Sequence, residues 1–164
     1  KAEPPDLFNQ NDSKLIWWNV DFLNWLAKID EAYELIKKMS LSHSSDIVIL
    51  LPDKYLGFMC VEHFKSFKKI DINHVFEDES EKVYHLHKKA FWPGDGRLKM
   101  CTIHSFKGWE AKNVIMLIPR NFQGSTELYD RMVYTAMTRT KVNLIVVNCN
   151  DRYKIFGEEQ PSTW

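Results

Sequence analysis

Apolar positions along the 164-residue chain switch between two periods, and the switches mark its elements. The runs at 46–51 (closed by Pro52), 113–118 and 142–148 are continuously apolar over strand length, which predicts parallel strands buried on both faces. Residues 14–20, with Trp17 and Trp18, together with 70–76 and 98–103, add strand candidates rich in aromatic and β-branched residues. Between them apolar residues recur at three-to-four spacing. Phe22, Leu23, Leu26, Ile29, Tyr33 and Ile36 follow a capping Asp21 in a helix through Lys38, residues 54–68 form a second, and Leu128, Met132, Val133 and Met137 lie on the packed face of a third. That third helix starts at Ser125 or Thr126 and runs through Thr140. Residues 40–45 are a polar loop, and 77–96, acidic at first and bearing Pro-Gly and Asp-Gly pairs, predicts only one short helix near 81–90. No internal repeat or low-complexity segment interrupts this order.

Strands separated by single helices require right-handed crossovers, so the fold class is a three-layer α/β domain, a mostly parallel sheet with helices on both faces. The length suits one such domain. Ten Phe, six Trp and six Tyr in a chain 45% hydrophobic exclude a disordered segment, which lacks the apolar area to offset chain entropy. No run approaches the ~20 apolar residues of a membrane helix, and the start lacks a signal peptide's apolar stretch, so a cytoplasmic protein with no membrane partner is expected. Cys60, Cys101 and Cys149 are an odd, widely spaced set that reads as buried thiols in a reducing compartment. Net charge is zero, yet residues 1–80 hold nine Lys and Arg against 14 Asp and Glu, while residues 81–164 hold 13 against eight. An anionic partner would favour the second half, although uneven solvated charge accounts for the same numbers.

Two segments carry candidate chemistry. In open α/β sheets, loops after strand carboxyl ends line the ligand crevice, and the stretch 102–110, Thr-Ile-His-Ser-Phe-Lys-Gly-Trp-Glu, is expected there. Its hydroxyls, backbone amides and lysine suit phosphate oxygens, and its carboxylate suits a ribose hydroxyl or a metal-bound water. Gly108 lets backbone approach a ligand closely. The second segment is the helix ending at Arg139, where a cation is also favoured simply by the helix dipole. Cys60 with His63, and His85 with His87, are too sparse for a zinc site, so no metal site is expected. Trp17 and Trp18 read as core, whereas Trp92 could stack on a base.

Taken together, these segments resemble motifs V and VI of the UvrD/Rep-like superfamily 1 helicases. The first motif runs T-x-H-x-x-K-G-L-E before an apolar strand, and here stand Thr102, His104, Lys107, Gly108 and Glu110 ahead of 113–118. The second runs Y-V-A-x-T-R-A, matched by Tyr134, Ala136, Thr138 and Arg139 ahead of 144–147. Trp109, Thr135 and Thr140 depart from the pattern as packing changes that leave the polar set whole. The resemblance is good over 46–150 and poor over 1–45, where a Q-N-Y-R-S motif IV is not recognisable.

The resemblance implies a RecA-like helicase C-terminal domain over 14–150, flanked by a lead-in arm or the edge of a longer protein at 1–13 and a tail at 151–164. It also implies the C-terminal motor half of an ATP-dependent DNA helicase. Arg139 would be the arginine finger, Gly108, Glu110 and Lys107 would face ATP, and Thr102 and His104, with Ser105 beside them, would touch single-stranded DNA. Because the chain has no G-x-x-x-x-G-K-[ST] loop to cradle β and γ phosphates, it is expected to be silent as an ATPase alone. ATP and Mg²⁺ would be held only with the N-terminal P-loop RecA-like domain, the expected partner on the same protein. The alternative is a RecA-like module that has lost catalysis and binds nucleic acid or protein, against which the intact Arg139 and Glu110 both stand.

Overall fold

A computed structural model describes residues 13–76, 95–122 and 124–159. The expected helix at 81–90, the arm before Ser13, His85, His87 and Trp92 lie outside the described residues. The apolar runs become strands: β1 (Lys14–Asn19), β2 (Ile47–Leu51), β3 (Ile72–His74), β4 (Leu98–Thr102), β5 (Ala111–Ile118) and β6 (Thr140–Asn148). They form one six-stranded sheet in the order β1-β6-β5-β2-β4-β3, parallel at every pairing. All five residues of β2 are buried, as a strand covered on both faces requires.

Helices α1 (Trp25–Ser40) and α2 (Lys54–Lys68) cover one face, and α3 (Thr126–Thr138) covers the other. Alternation along the strands divides the core between them: Ile47, Ile49, Leu51, Ile115 and Ile145 pack under α1 and α2, while Val48, Leu50, Val114, Met116 and Val146 pack under α3. A buried aliphatic side chain of this kind contributes about 1.5–3 kcal/mol, so two such faces supply most of the favourable energy of the fold.

Several boundaries move for physical reasons. Asp21 caps as expected, accepting the Leu23 amide at 2.8 Å, but the turn it caps is a 3-10 turn, Phe22–Asn24, and α1 begins after it. Leu128 on α3 is 53% exposed, and Tyr129 is buried in its place with Val133 and Ala136; Ser125 is the residue that caps the helix. Strands β5 and β6 both start earlier than the apolar runs, since their first residues pair as backbone while Lys112 and Lys141 project into solvent. Cys60 and Cys101 are buried, and burial pushes both thiols well up; Cys149 is only half-buried, and its thiol is pushed up to about 11. Trp17 is buried, whereas Trp18 is partly exposed with Lys28 above its ring.

Beyond β6, where the sequence predicts only a tail, a 3-10 turn, Asp151–Tyr153, leads into the short helix α4 (Lys154–Glu159). Phe156 meets Trp17 with ring centroids 5.2 Å apart, and the Tyr153 hydroxyl donates to Asp130 at 2.6 Å, so the segment is tied to β1 and α3. Among the described residues no helix is long and apolar enough to cross a membrane.

Candidate functional site

In a parallel sheet the connection from β4 to β5 must return from the carboxyl edge to the amino edge, and residues 103–110, which follow Thr102 at the end of β4, are that connection. Its ends therefore serve different edges. Thr102 pairs with Leu51 near the carboxyl ends of β2 and β4, whereas Ala111 pairs with Thr140 at the amino ends of β5 and β6. The expectation that the 102–110 stretch lines the carboxyl edge is thus corrected for its far end: Glu110 stands at the amino edge, beside Arg139.

At the carboxyl end the chain leaves β4 in a series of tight turns. Ile103 and Phe106 are buried under them, and the Phe106 amide bonds the Thr102 carbonyl at 3.1 Å. The Thr102 hydroxyl accepts the Ser105 amide at 3.1 Å and donates to the Ser105 hydroxyl at 2.9 Å. Its hydrogen-bonding capacity is turned inward, and Ser105 carries the proton that remains to donate. His104 and Lys107 are exposed. His104 lies in the turn beyond the last strand residue, so strand alternation with Thr102 does not set its direction.

Gly108 has φ +91°, a conformation that penalises any side chain, and a Cβ built on it meets nothing within 4 Å. The glycine is needed for the turn, and the space over it is open. Trp109 is half-buried and packs against the core under α3.

At the amino edge the two segments come together. The Ala111 amide donates to the Arg139 carbonyl at 3.1 Å, which fixes Glu110 beside Arg139 through the backbone. Arg139 is the C-cap of α3, its amide bonding the carbonyls of Ala136 and Met137. Its Nη1 lies 4.0 Å from Glu110 Oε1, and Lys141 Nζ lies 2.8 Å from Glu110 Oε2. The Glu110 carboxyl is held below the usual carboxylate range, first by the hydrogen bond and charge of Lys141, with Arg139 adding to them.

A pocket of about 260 Å³ adjoins this cluster, lined by Lys99, Phe106, Trp109, Glu110, Lys112 and Lys141. Lys99 is 4% exposed, and its ammonium donates to the carbonyls of Ser45 at 2.9 Å and Asp95 at 3.0 Å, while burial pulls its pKa down. Behind it the amide of Asn113, fully buried, donates to Ser42 and accepts from Asn143 at 2.7 Å, bracing the amino ends of β5 and β6. Lys141 and Lys99 escaped the reading of the sequence. For Lys141 a signal existed, two residues past Arg139 at the start of a strand; for Lys99, alternating within an apolar strand, none did. Among the described residues no three His, Cys, Asp or Glu side chains cluster as a metal site would require.

Comparison with known proteins bears on this arrangement. Residues 99–147 match the family model of the UvrD-like helicase C-terminal domain. The fold is similar to the C-terminal domain of a possible DNA helicase from Lactobacillus plantarum WCFS1, with a TM-score of 0.54 and 11% identity, over 85% of this chain and 74% of that one. It is also similar to domain 2 of the DEAD-box helicase Mss116p, solved bound to an RNA duplex, with a TM-score of 0.55 and 18% identity, over 90% of this chain and 59% of that one. No curated protein sequence matches. The chain thus has a RecA-like fold similar to that of helicase second domains, and its residues 99–147 are similar to the UvrD-like helicase C-terminal domain.

Proposed function

We propose that this chain is the C-terminal motor half of an ATP-dependent superfamily 1 DNA helicase of the UvrD/Rep kind, acting in the cytoplasm. The observation that carries the reading is the meeting of Arg139 and Glu110, from segments far apart in sequence, on an exposed edge beside the open space over Gly108. A planar guanidinium is suited to the oxygens of a transferring phosphoryl group, and Arg139 is the finger in this reading. Glu110 orients the nucleotide through a sugar hydroxyl, and Lys107 and the backbone at Gly108 flank the phosphates. ATP, when bound with Mg²⁺, supplies the energy of closure between this half and a P-loop half, which holds the metal and the β and γ phosphates. At the other end of the same connection, Ser105, His104 and Thr102 meet the backbone of single-stranded DNA. One eight-residue link thereby joins the nucleotide edge to the strand edge, and a shift at one is felt at the other.

Phosphate release is the test, measured on the chain alone and on a protein joining it to a P-loop half. Turnover is expected only in the joined protein, stimulated by single-stranded DNA. Turnover by the chain alone that disappears in Arg139→Ala overturns the reading.

A further inference from the structure

Lys99 is a buried cation without a counter-ion. On β4 it stands in register with Val48 of β2, so it points to the α3 side of the sheet, where apolar neighbours leave it 4% exposed. Its ammonium donates to the Ser45 and Asp95 carbonyls, two acceptors for three protons, and among the described residues no carboxylate lies within ion-pair distance of it. Asp95 and Asp46 act on it only at longer range, and both carboxylate oxygens of Asp95 are held by Arg97. Burial lowers the pKa of Lys99 in spite of these carboxylates, as a charge not fully compensated requires. A buried charge left without a partner is costly, and an anion brought beside it offsets that cost.

The pocket that Lys99 lines opens at the amino ends of β2, β4 and β5. Buried Val48 and Phe106, with half-buried Trp109, form its apolar part, and Lys112 and Lys141 stand exposed beside it. Three ammoniums line it together with two carboxylates, Asp46 and Glu110, and Glu110 is already taken by Lys141 at 2.8 Å. Lys99 and Lys112 remain against Asp46 alone, so the pocket attracts negative charge, the more strongly for its apolar part. Its volume of about 260 Å³ lies below the ~300–1,000 Å³ of sites for larger organic ligands, which suits a small anion. We infer that this pocket binds a phosphate-class oxyanion, with one oxygen on the third proton of Lys99 and others on Lys112. A compact ammonium meets such an oxyanion as a point charge. Arg139 does not line the pocket, so the site is separate from the finger proposed above and does not depend on that reading. Free phosphate and a small phosphorylated metabolite share the chemistry.

Calorimetric titration of the 164-residue chain with inorganic phosphate tests it, at constant ionic strength with chloride as the control, alongside amide NMR shifts. One phosphate per chain is expected, with shifts centred on Ser45, Lys99 and Lys112. Lys99→Met, which keeps the length of the side chain and removes its charge, should abolish phosphate binding. Lys112→Glu should weaken it about tenfold or more, since an attraction becomes a repulsion. Because Lys112 is exposed, its reversal leaves the fold intact and decides the matter where Lys99→Met does not fold. Ribose 5-phosphate distinguishes the sources: binding tighter than that of phosphate identifies a phosphorylated metabolite, weaker binding identifies free phosphate, and both support the site. Shifts centred on Lys107, Gly108 and Arg139 would put the anion on the nucleotide edge, overturning the inference and leaving the motor reading in place. Phosphate binding no stronger than that of chloride, or undiminished in Lys112→Glu, overturns it as well.

Discussion

The carboxylate of Glu110 is paired with Lys141 at 2.8 Å, closer than the 4.0 Å that separates it from Arg139. The distances matter in that order. A guanidinium locked in a bidentate carboxylate pair must break it before meeting a phosphate, and Arg139 has little to break. Lys141 takes the charge of Glu110 and leaves the arginine exposed at the edge.

From this pairing follows a pH dependence. The Glu110 carboxyl is held below the ordinary range because Lys141 favours its charged form. The pair is therefore intact above the ordinary carboxylate pKa and is lost as pH falls through the lowered one. Replacing Lys141 with Ala should raise the Glu110 value toward that of a free glutamate, whereas Lys141→Arg should keep it low. Carbon-detected NMR titration of the Glu110 carboxyl reads both. An unchanged titration in Lys141→Ala would show that the ion pair does not exist in solution.

In a protein carrying both RecA-like halves, Arg139→Ala should leave folding and DNA affinity nearly intact and cut ATP turnover by roughly 10³ or more, the scale of a lost arginine finger. Arg139→Lys should fail comparably, because an ammonium does not reproduce the planar fork. Near wild-type turnover in either variant would make Arg139 a helix-end cation and no more. Single-turnover hydrolysis separates this effect from any change in nucleotide binding.

How much of this was open to a reader of the sequence depends on which physical force set each feature. Strands β2, β5 and β6 were legible because burial on both faces leaves an unbroken apolar run. The opening residues of β5 and β6 were not, since backbone pairing at a sheet edge tolerates the exposed side chains of Lys112 and Lys141. Tyr129 was hidden for a different reason: helical periodicity fits Leu128 nearly as well, and the packing of α3 on the sheet is what buries Tyr129 and leaves Leu128 exposed. The residues of the two motif segments were visible as a set. Their division between opposite edges was not, because it depends on β4 and β5 being parallel with β2 between them.

Gly57 illustrates a constraint that helix propensity hides. In the interior of α2, Gly→Ala ordinarily stabilises by about 1 kcal/mol. Here a Cβ would lie 2.6 Å from Cε1 of Phe76, a fully buried ring under α2. Overpacking of this kind costs about 1–3 kcal/mol, so Gly57→Ala should destabilise the chain. Urea unfolding should show a lower midpoint with an unchanged slope. A raised midpoint would mean that Phe76 yields without cost.

Thr102 and Ser105 should act on DNA as one unit. The Thr102 hydroxyl both accepts the Ser105 amide and donates to the Ser105 hydroxyl, so its removal loosens the turn that presents Ser105. Thr102→Ala and Ser105→Ala should therefore weaken single-stranded DNA binding by similar factors, and the double variant should be little worse than either, the non-additivity expected of coupled groups. Neither hydroxyl carries charge, so the slope of log affinity against log salt should hold. Lys107→Ala offers the contrast: if Lys107 faces the nucleotide, strand affinity and slope are unchanged, and if it reaches a phosphate of the strand, the slope falls by about one. Titrations of a labelled oligonucleotide at several salt concentrations resolve all four variants. Strictly additive losses for Thr102 and Ser105 would mean that each touches the strand independently, and the inward hydrogen bonds of Thr102 would then have to open when DNA binds.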